Sequence, residues 1–133
     1  MSYYMTTTFA GTFDEALAAA TGALQEQGFG VLSDIDVSAT LKRKLNVEFP
    51  RYRILGACNP AFAHQALQEE DKIGTLLPCN VVVREATDHT VEIAAVDPAE
   101  SMQVVGNEAL LPIANEVRGR LQAVISSLGE VAT

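Results

Sequence analysis

Cys79-Asn80-Val81-Val82-Val83-Arg84-Glu85, then Ala86-Thr87-Asp88-His89, then Thr90-Val91-Glu92-Ile93-Ala94-Ala95-Val96: two short runs rich in β-branched residues flank a brief polar turn. This spacing reads as a β-hairpin. A parallel pair would need a crossover of a dozen or more residues between its strands, and only a tight turn lies here. The hairpin therefore argues for an antiparallel sheet over a parallel, doubly wound one.

Upstream of it, Tyr3 to Phe9 is aromatic and Thr-rich with rough alternation, which fits a first strand. Thr12 and Glu15 have the spacing of a capping box, and Phe13, Ala16, Leu17, Ala20 and Leu24 recur behind them at helical period. Gly28 ends that helix. Phe29, Val31 and Ile35 open a second strand, with Asp34 and Asp36 on its other face. Asp36 or Ser38 caps a short basic helix over Ala39 to Leu45, and Arg51 to Ala57 forms a third strand. Asn59 as N-cap and Pro60 in the first turn start a helix that runs to Glu69. Downstream, Asp97-Pro98 ends the hairpin. Leu110, Ile113, Ala114, Val117, Leu121, Val124 and Leu128 then make the longest apolar stripe, with Pro112 near its start.

The order is strand, long helix, four strands, long helix, with two short helices between the middle strands. The expected fold class is α+β: a single antiparallel sheet with two long helices packed on one face, in β-α-β4-α order, plus two short inserted helices. No linker, repeat or low-complexity tract divides the chain, so residues 1–133 are expected to form a single domain.

Nearly half of the residues are apolar and a fifth are charged, an ordinary globular composition. Nine Lys and Arg stand against 17 Asp and Glu, a net charge of −8. That balance opposes binding to nucleic-acid backbones or anionic membranes, which require neutralising cations. No apolar run is long enough to span a bilayer, and Met1 to Phe9 has neither a basic region nor an apolar core of a signal peptide. A cytoplasmic protein with reduced cysteines is the expectation.

The two cysteines each precede an asparagine at a strand edge, in Gly56-Ala57-Cys58-Asn59-Pro60 and in Leu77-Pro78-Cys79-Asn80-Val81. Strand alternation groups Tyr52, Ile54, Gly56 and Cys58 on one face, and Cys79, Val81 and Val83 on one face of the next strand. Taking these apolar sets as helix-facing puts both cysteines on the same face. As antiparallel neighbours the two strands would hold both thiols at one edge; as parallel neighbours, at opposite ends. The first arrangement sets Cys58 near the N-terminus of the Pro60 helix, whose amides favour a thiolate. The plainer reading is that a free cysteine serves as a small buried hydrophobe.

As a metal site the pair is weak. Two cysteines are half of a closed tetrahedral set, and no Cys-x-x-Cys spacing is present. His64 on the Pro60 helix is the candidate third ligand beside Cys58 and Cys79, and His89 falls in the hairpin turn. Arg51, Arg53 and Arg84 are candidates to line up on the outer sheet face and hold a carboxylate or phosphate. The bland alternative there is a solvated face, or a subunit contact involving Leu55 and Val82. Lys42 to Lys44 and Glu69 to Asp71 read as solvated helix faces. Phosphate loops, nucleophile elbows and catalytic triads are missing, so no residue is assigned a catalytic role and no cofactor is named.

At the two cysteine motifs the chain resembles a bacterial and archaeal family known as domain of unknown function 302. The likeness runs from about Phe13 to Asp97. It includes Gly28-Phe29-Gly30-Val31-Leu32, Asp34-Ile35-Asp36 with Thr40-Leu41-Lys42, Tyr52 through Pro60, then Ala63, Ala66 and Leu67, and Leu76 through Val83. The resemblance implies a small α+β domain with an antiparallel sheet, similar in topology to the TATA-binding-protein-like arrangement and often dimeric. It also favours both thiols at one edge. It implies no reaction.

The expected function is a non-enzymatic domain that binds a small ligand or a partner, with Cys58, Asn59, Cys79, Asn80 and Arg53 as candidate binding residues. Thiol redox chemistry or soft-metal (copper) handling through Cys58 and Cys79 is the first alternative. A purely structural homodimer is the second. Expected partners are a second copy of the chain and a small ligand, with neither nucleic acid nor membrane.

Overall fold

The computed structural model describes residues 2–86 and 88–129. Thr12 accepts a hydrogen bond from the Glu15 amide while the Glu15 carboxylate accepts one from the Thr12 amide. This reciprocal cap launches α1 (Phe13–Glu26) directly after β1 (Tyr4–Phe9). Gly28, at φ 85°, then reverses the chain in the left-handed region that a glycine enters without a steric cost. β2 (Gly30–Asp36) leads into α2 (Val37–Leu45), capped by Asp36, whose carboxylate accepts from the Ala39 amide. Of the two expected caps, Ser38 instead donates its hydroxyl to Asp36.

β3 (Tyr52–Cys58), α3 (Pro60–Glu69), β4 (Cys79–Glu85) and β5 (Val91–Val96) follow, with a 3-10 turn at Ile73–Leu76 before β4. The hairpin joins β4 to β5, though Thr87 of its expected turn lies outside the described residues. α4 (Pro98–Ser101) and two 3-10 turns, which the sequence pattern did not foretell, connect to α5 (Leu111–Ser127). Pro112 sits in the first turn of α5, where its missing amide is harmless.

All strand pairs are antiparallel and the sheet order is β1-β5-β4-β3-β2. The fold is α+β, with α1 and α5 on one face of a single five-stranded antiparallel sheet. Phe13, Ala16, Ala20 and Leu24 of α1 interlock with Val117, Leu121, Val124 and Ile125 of α5 over Leu55, Val81, Val83 and Ile93. A smaller cluster of Ala66, Ile73, Met102, Leu110 and Ala114 extends the core beneath α3.

The register corrects two expected faces. Leu55 stands opposite Val81 and Ala57 opposite Cys79, and all four are buried, so β3 turns Leu55 and Ala57 to the helices. Tyr52, Ile54 and Gly56 belong to the open face instead. That set read as core because the open face is itself partly covered: Gly56 lies beneath Pro78. Leu55, buried in the core, is therefore not available for a subunit contact. In β2 a bulge between Val31 and Ser33 adds Leu32 as an extra residue and reverses the alternation. Val31 opposes Ala57 on the helix face, whereas Ile35 opposes Ile54 on the open face and is 50% exposed.

A Cβ at Gly56 would fall on Ser33 Oγ and 2.7 Å from Pro78 Cγ. Gly56→Val is expected to cost about 2–3 kcal/mol by forcing Pro78 and β2 outward, measured by urea unfolding. A variant as stable as the parent would contradict this packing.

Candidate functional site

At the end of the sheet where β3 finishes and β4 begins, the Ala57–Cys79 pairing sends the chain out into α3 and brings it back through the Ile73–Leu76 turn. α3 packs against α5 rather than onto the sheet. The wedge between them is a cavity of about 300 Å³. Its floor is Ala57, Cys58 and Cys79; its walls are Phe62, Ala63 and Ala66 of α3, Ile113, Ala114 and Val117 of α5, and Phe29, Leu77 and Met102. Leu32 and Leu67 also line it, yet are 70% and 44% exposed, which puts them at its mouth.

Three of the candidate residues meet here. Cys58 is half-buried and Cys79 is buried, and both thiols are free. The expectation that antiparallel pairing gathers them matches this geometry, although the set that alternation gives Cys58, with Ile54 and Gly56, is the one that faces away from the helices. Asn59 lines the cavity and caps α3, its Oδ1 accepting from the Phe62 amide at 3.5 Å. Pro60 in the first turn fixes where the helix departs.

The remaining candidates lie elsewhere. Asn80 opposes Gly56 on the open sheet face and is exposed. Arg53 sits toward the opposite end of β3, where its guanidinium forks onto the Asp34 carboxylate, with Nε 2.8 Å from Oδ1. His64 is exposed on α3 and does not line the cavity. The three arginines do not form a row. Arg51 stacks over the Phe13 ring at 4.1 Å and pairs with Asp14, Arg53 serves Asp34, and Arg84 on the open face pairs with Glu92 at 2.7 Å. Among the described residues, no three His, Cys, Asp or Glu side chains converge as a metal site would require.

Sequence reasoning missed most of the wall. Phe29, Ile113 and Val117 come from distant segments where the pattern marks them only as core, and Met102 lies in a 3-10 turn to which the pattern assigned no element. Phe62, Ala63 and Ala66 were within reach, because they share the inward stripe of a helix already located beside Cys58.

Burial, and to a lesser degree the neighbouring Cys58, pushes the Cys79 thiol up to about 11. Cys79 is therefore a neutral S–H at physiological pH. It supplies a soft wall to the cavity and no anion.

The family model for the domain of unknown function DUF302 matches residues 5–128, nearly the whole chain. The chain belongs to the DUF302 family. Among solved structures it is similar to an uncharacterized conserved DUF302 protein from Bacillus stearothermophilus, at 28% identity and a TM-score of 0.90, over 96% of this chain and 99% of that one. No curated protein matches. The DUF302 relationship thus accounts for the sheet and the helices, and attaches no reaction to the fold. Among the described residues no helix is long and apolar enough to cross a membrane.

Raising the Cys79 value from an ordinary 9.0 to about 11 makes folding sensitive to alkali. Below pH ~9 folded and unfolded chains both keep this proton, and Cys79 adds no pH dependence. Above it the unfolded chain sheds a proton that the folded chain retains, so stability falls as pH rises from about 9 to about 11. Over that interval the wild type is expected to lose about 2–3 kcal/mol more than Cys79→Ala, read by urea unfolding at stepped pH. Identical slopes for the two proteins would refute the buried, neutral thiol.

Proposed function

We propose that this chain is a non-enzymatic binding domain that takes a small ligand in the cavity between α3, α5 and the Cys58–Cys79 end of the sheet. The observation that carries the reading is the cavity itself, about 300 Å³ and walled by apolar groups with few polar atoms. Ligand sites begin at about this size and share this composition. The space is made by small side chains: Ala57, Ala63, Ala66 and Ala114 all line it, and a leucine at any of them would fill much of it. The cavity opens to solvent beside Leu32 and Leu67, and its apolar walls hold water poorly, so an occupant of matching chemistry is favoured over water. Among the described residues, no carboxylate, imidazole, ammonium or guanidinium lines the cavity to serve as an acid–base pair. The free cysteines fit a cytoplasmic, reducing compartment.

Native mass spectrometry of freshly purified protein, without reductant or chelator, is expected to show an organic adduct that an Ala63→Trp variant lacks. A bare mass, together with a thermal midpoint raised by none of a panel of small apolar molecules, would overturn the reading. A copper mass removed by Cys58→Ser and Cys79→Ser would favour the thiol and soft-metal alternative instead.

A second reading, compatible with the first, concerns the open sheet face. Ile35, Ile54, Val82 and Ala94 stand opposite one another across four strands and form an uncovered apolar row. Beside it Tyr4, Tyr52, Arg84 and Glu92 border a hollow of about 600 Å³. A second copy of this chain would cover the row and bring each Arg84–Glu92 pair against its symmetry mate. Sedimentation at micromolar concentration is expected to show a dimer that Val82→Lys converts to monomer. A monomeric wild type would remove this reading.

A further inference from the structure

Resting on the cavity as a binding site, we propose that its ligand is an uncharged, apolar molecule admitted past a lip built from Leu32 and Leu67. The first support is the chemistry of the wall. Every side chain that lines the cavity is aliphatic, aromatic, sulfur-bearing or, at Asn59, a neutral amide. An anion entering this space would give up its hydration with no cation to receive it, inside a chain of net charge −8. A cation would find no carboxylate there.

The neighbouring guanidinium of Arg120 is already engaged. It lies over the outer part of the wall, 5.2 Å from the Phe62 ring centroid. Its Nε donates to Glu116 Oε1 at 3.2 Å and one terminal nitrogen donates to the Gln27 carbonyl at 3.2 Å. An anionic ligand would compete with both contacts for this guanidinium. The Cys79 thiol, only 7% exposed and on the cavity floor, keeps its proton and has no hydrogen-bond partner among the described residues. It offers a ligand a soft surface and a weak S–H donor, which suits an apolar or weakly polar molecule.

The second support is the β2 bulge. In an unbroken ladder residue 32 would alternate with Val31 and turn to the open sheet face. The extra residue between Val31 and Ser33 instead brings Leu32 to the cavity while leaving it 70% exposed. Leu67 on α3 also lines the cavity, at 44% exposed. Two large apolar side chains held in water at an apolar opening gain from covering one another with an apolar guest.

Two dyes test this: phenylnaphthylamine, which is neutral, and anilinonaphthalene sulfonate, a near-identical ring system carrying a permanent negative charge. In fluorescence titrations the neutral dye is expected to bind one site at least ~10-fold more tightly than the sulfonate, because the charge has no partner in the wall. Ala63→Trp, which fills the cavity, is expected to abolish binding, and Leu32→Ser to weaken it about 5-fold through lost apolar contact. Should Ala63→Trp fail to fold, Leu67→Trp at the mouth carries the same blocking test. If the sulfonate binds as tightly as the neutral dye and the blocking variant removes both, the cavity is a site but the ligand class is wrong. If neither dye responds to blocking, or the neutral dye does not bind, the cavity reading falls with it. Unchanged affinity in Leu32→Ser would overturn the lip.

Discussion

The antiparallel register of β3 against β4 is the constraint on which the rest of this molecule depends. With Ala57 opposite Cys79, the end of one strand and the start of the other coincide. α3 must therefore leave, and the chain must return, at the same end of the sheet. Both excursions are then forced against the N-terminal half of α5, and the wedge they leave is the cavity. The same register turns Leu55, Val81 and Val83 toward α1 and α5. A slip by one residue would carry Val81 and Val83 to the open face, turn Asn80 and Arg84 inward, and disrupt the core along with the cavity floor.

Much of this was legible because local signals agreed with one another. The hairpin, the Thr12–Glu15 cap, the Asn59–Pro60 helix start and the α5 stripe are each settled by short-range chemistry, and together they dictate element order. The faces of β3 were not legible. Tyr52-Arg53-Ile54-Leu55-Gly56-Ala57-Cys58 is apolar on both alternations toward its end, since Gly56 is covered by Pro78 while Leu55 and Ala57 are covered by helices. Period 2 discriminates only when one face is wet. The β2 bulge defeated the pattern differently: a single inserted residue reverses every later side chain, and nothing local to Leu32 announces it.

That the two strand-edge cysteines share one end of the sheet was legible, because a thiol beside a helix start is a local feature. The pocket walls were out of reach. Met102, Ile113 and Val117 lie far along the chain from Cys58, and whether they close on it or leave a space depends on packing that no spacing encodes. Arg53 and Asn80 lie apart from the cysteines. Each is close in sequence to a cysteine, yet strand direction sends Arg53 toward the far end of β3 and alternation sends Asn80 through to the other face.

The two Cys-Asn dipeptides look like a repeated motif, and the structure gives their four residues four different positions. Cys58 ends a strand and is half-buried; Cys79 begins one and is buried deeply enough to remain a neutral thiol. Asn59 spends its carbonyl on a helix amide, whereas Asn80 faces outward from the open sheet. An activated pair, of the kind used for disulfide exchange or metal capture, needs at least one thiol whose anion is stabilised. At Cys79 burial works the other way. What the pair shares is a location, the floor of an apolar wedge. The repeat therefore marks one end of the sheet, where small alanines line the cavity beside the thiols.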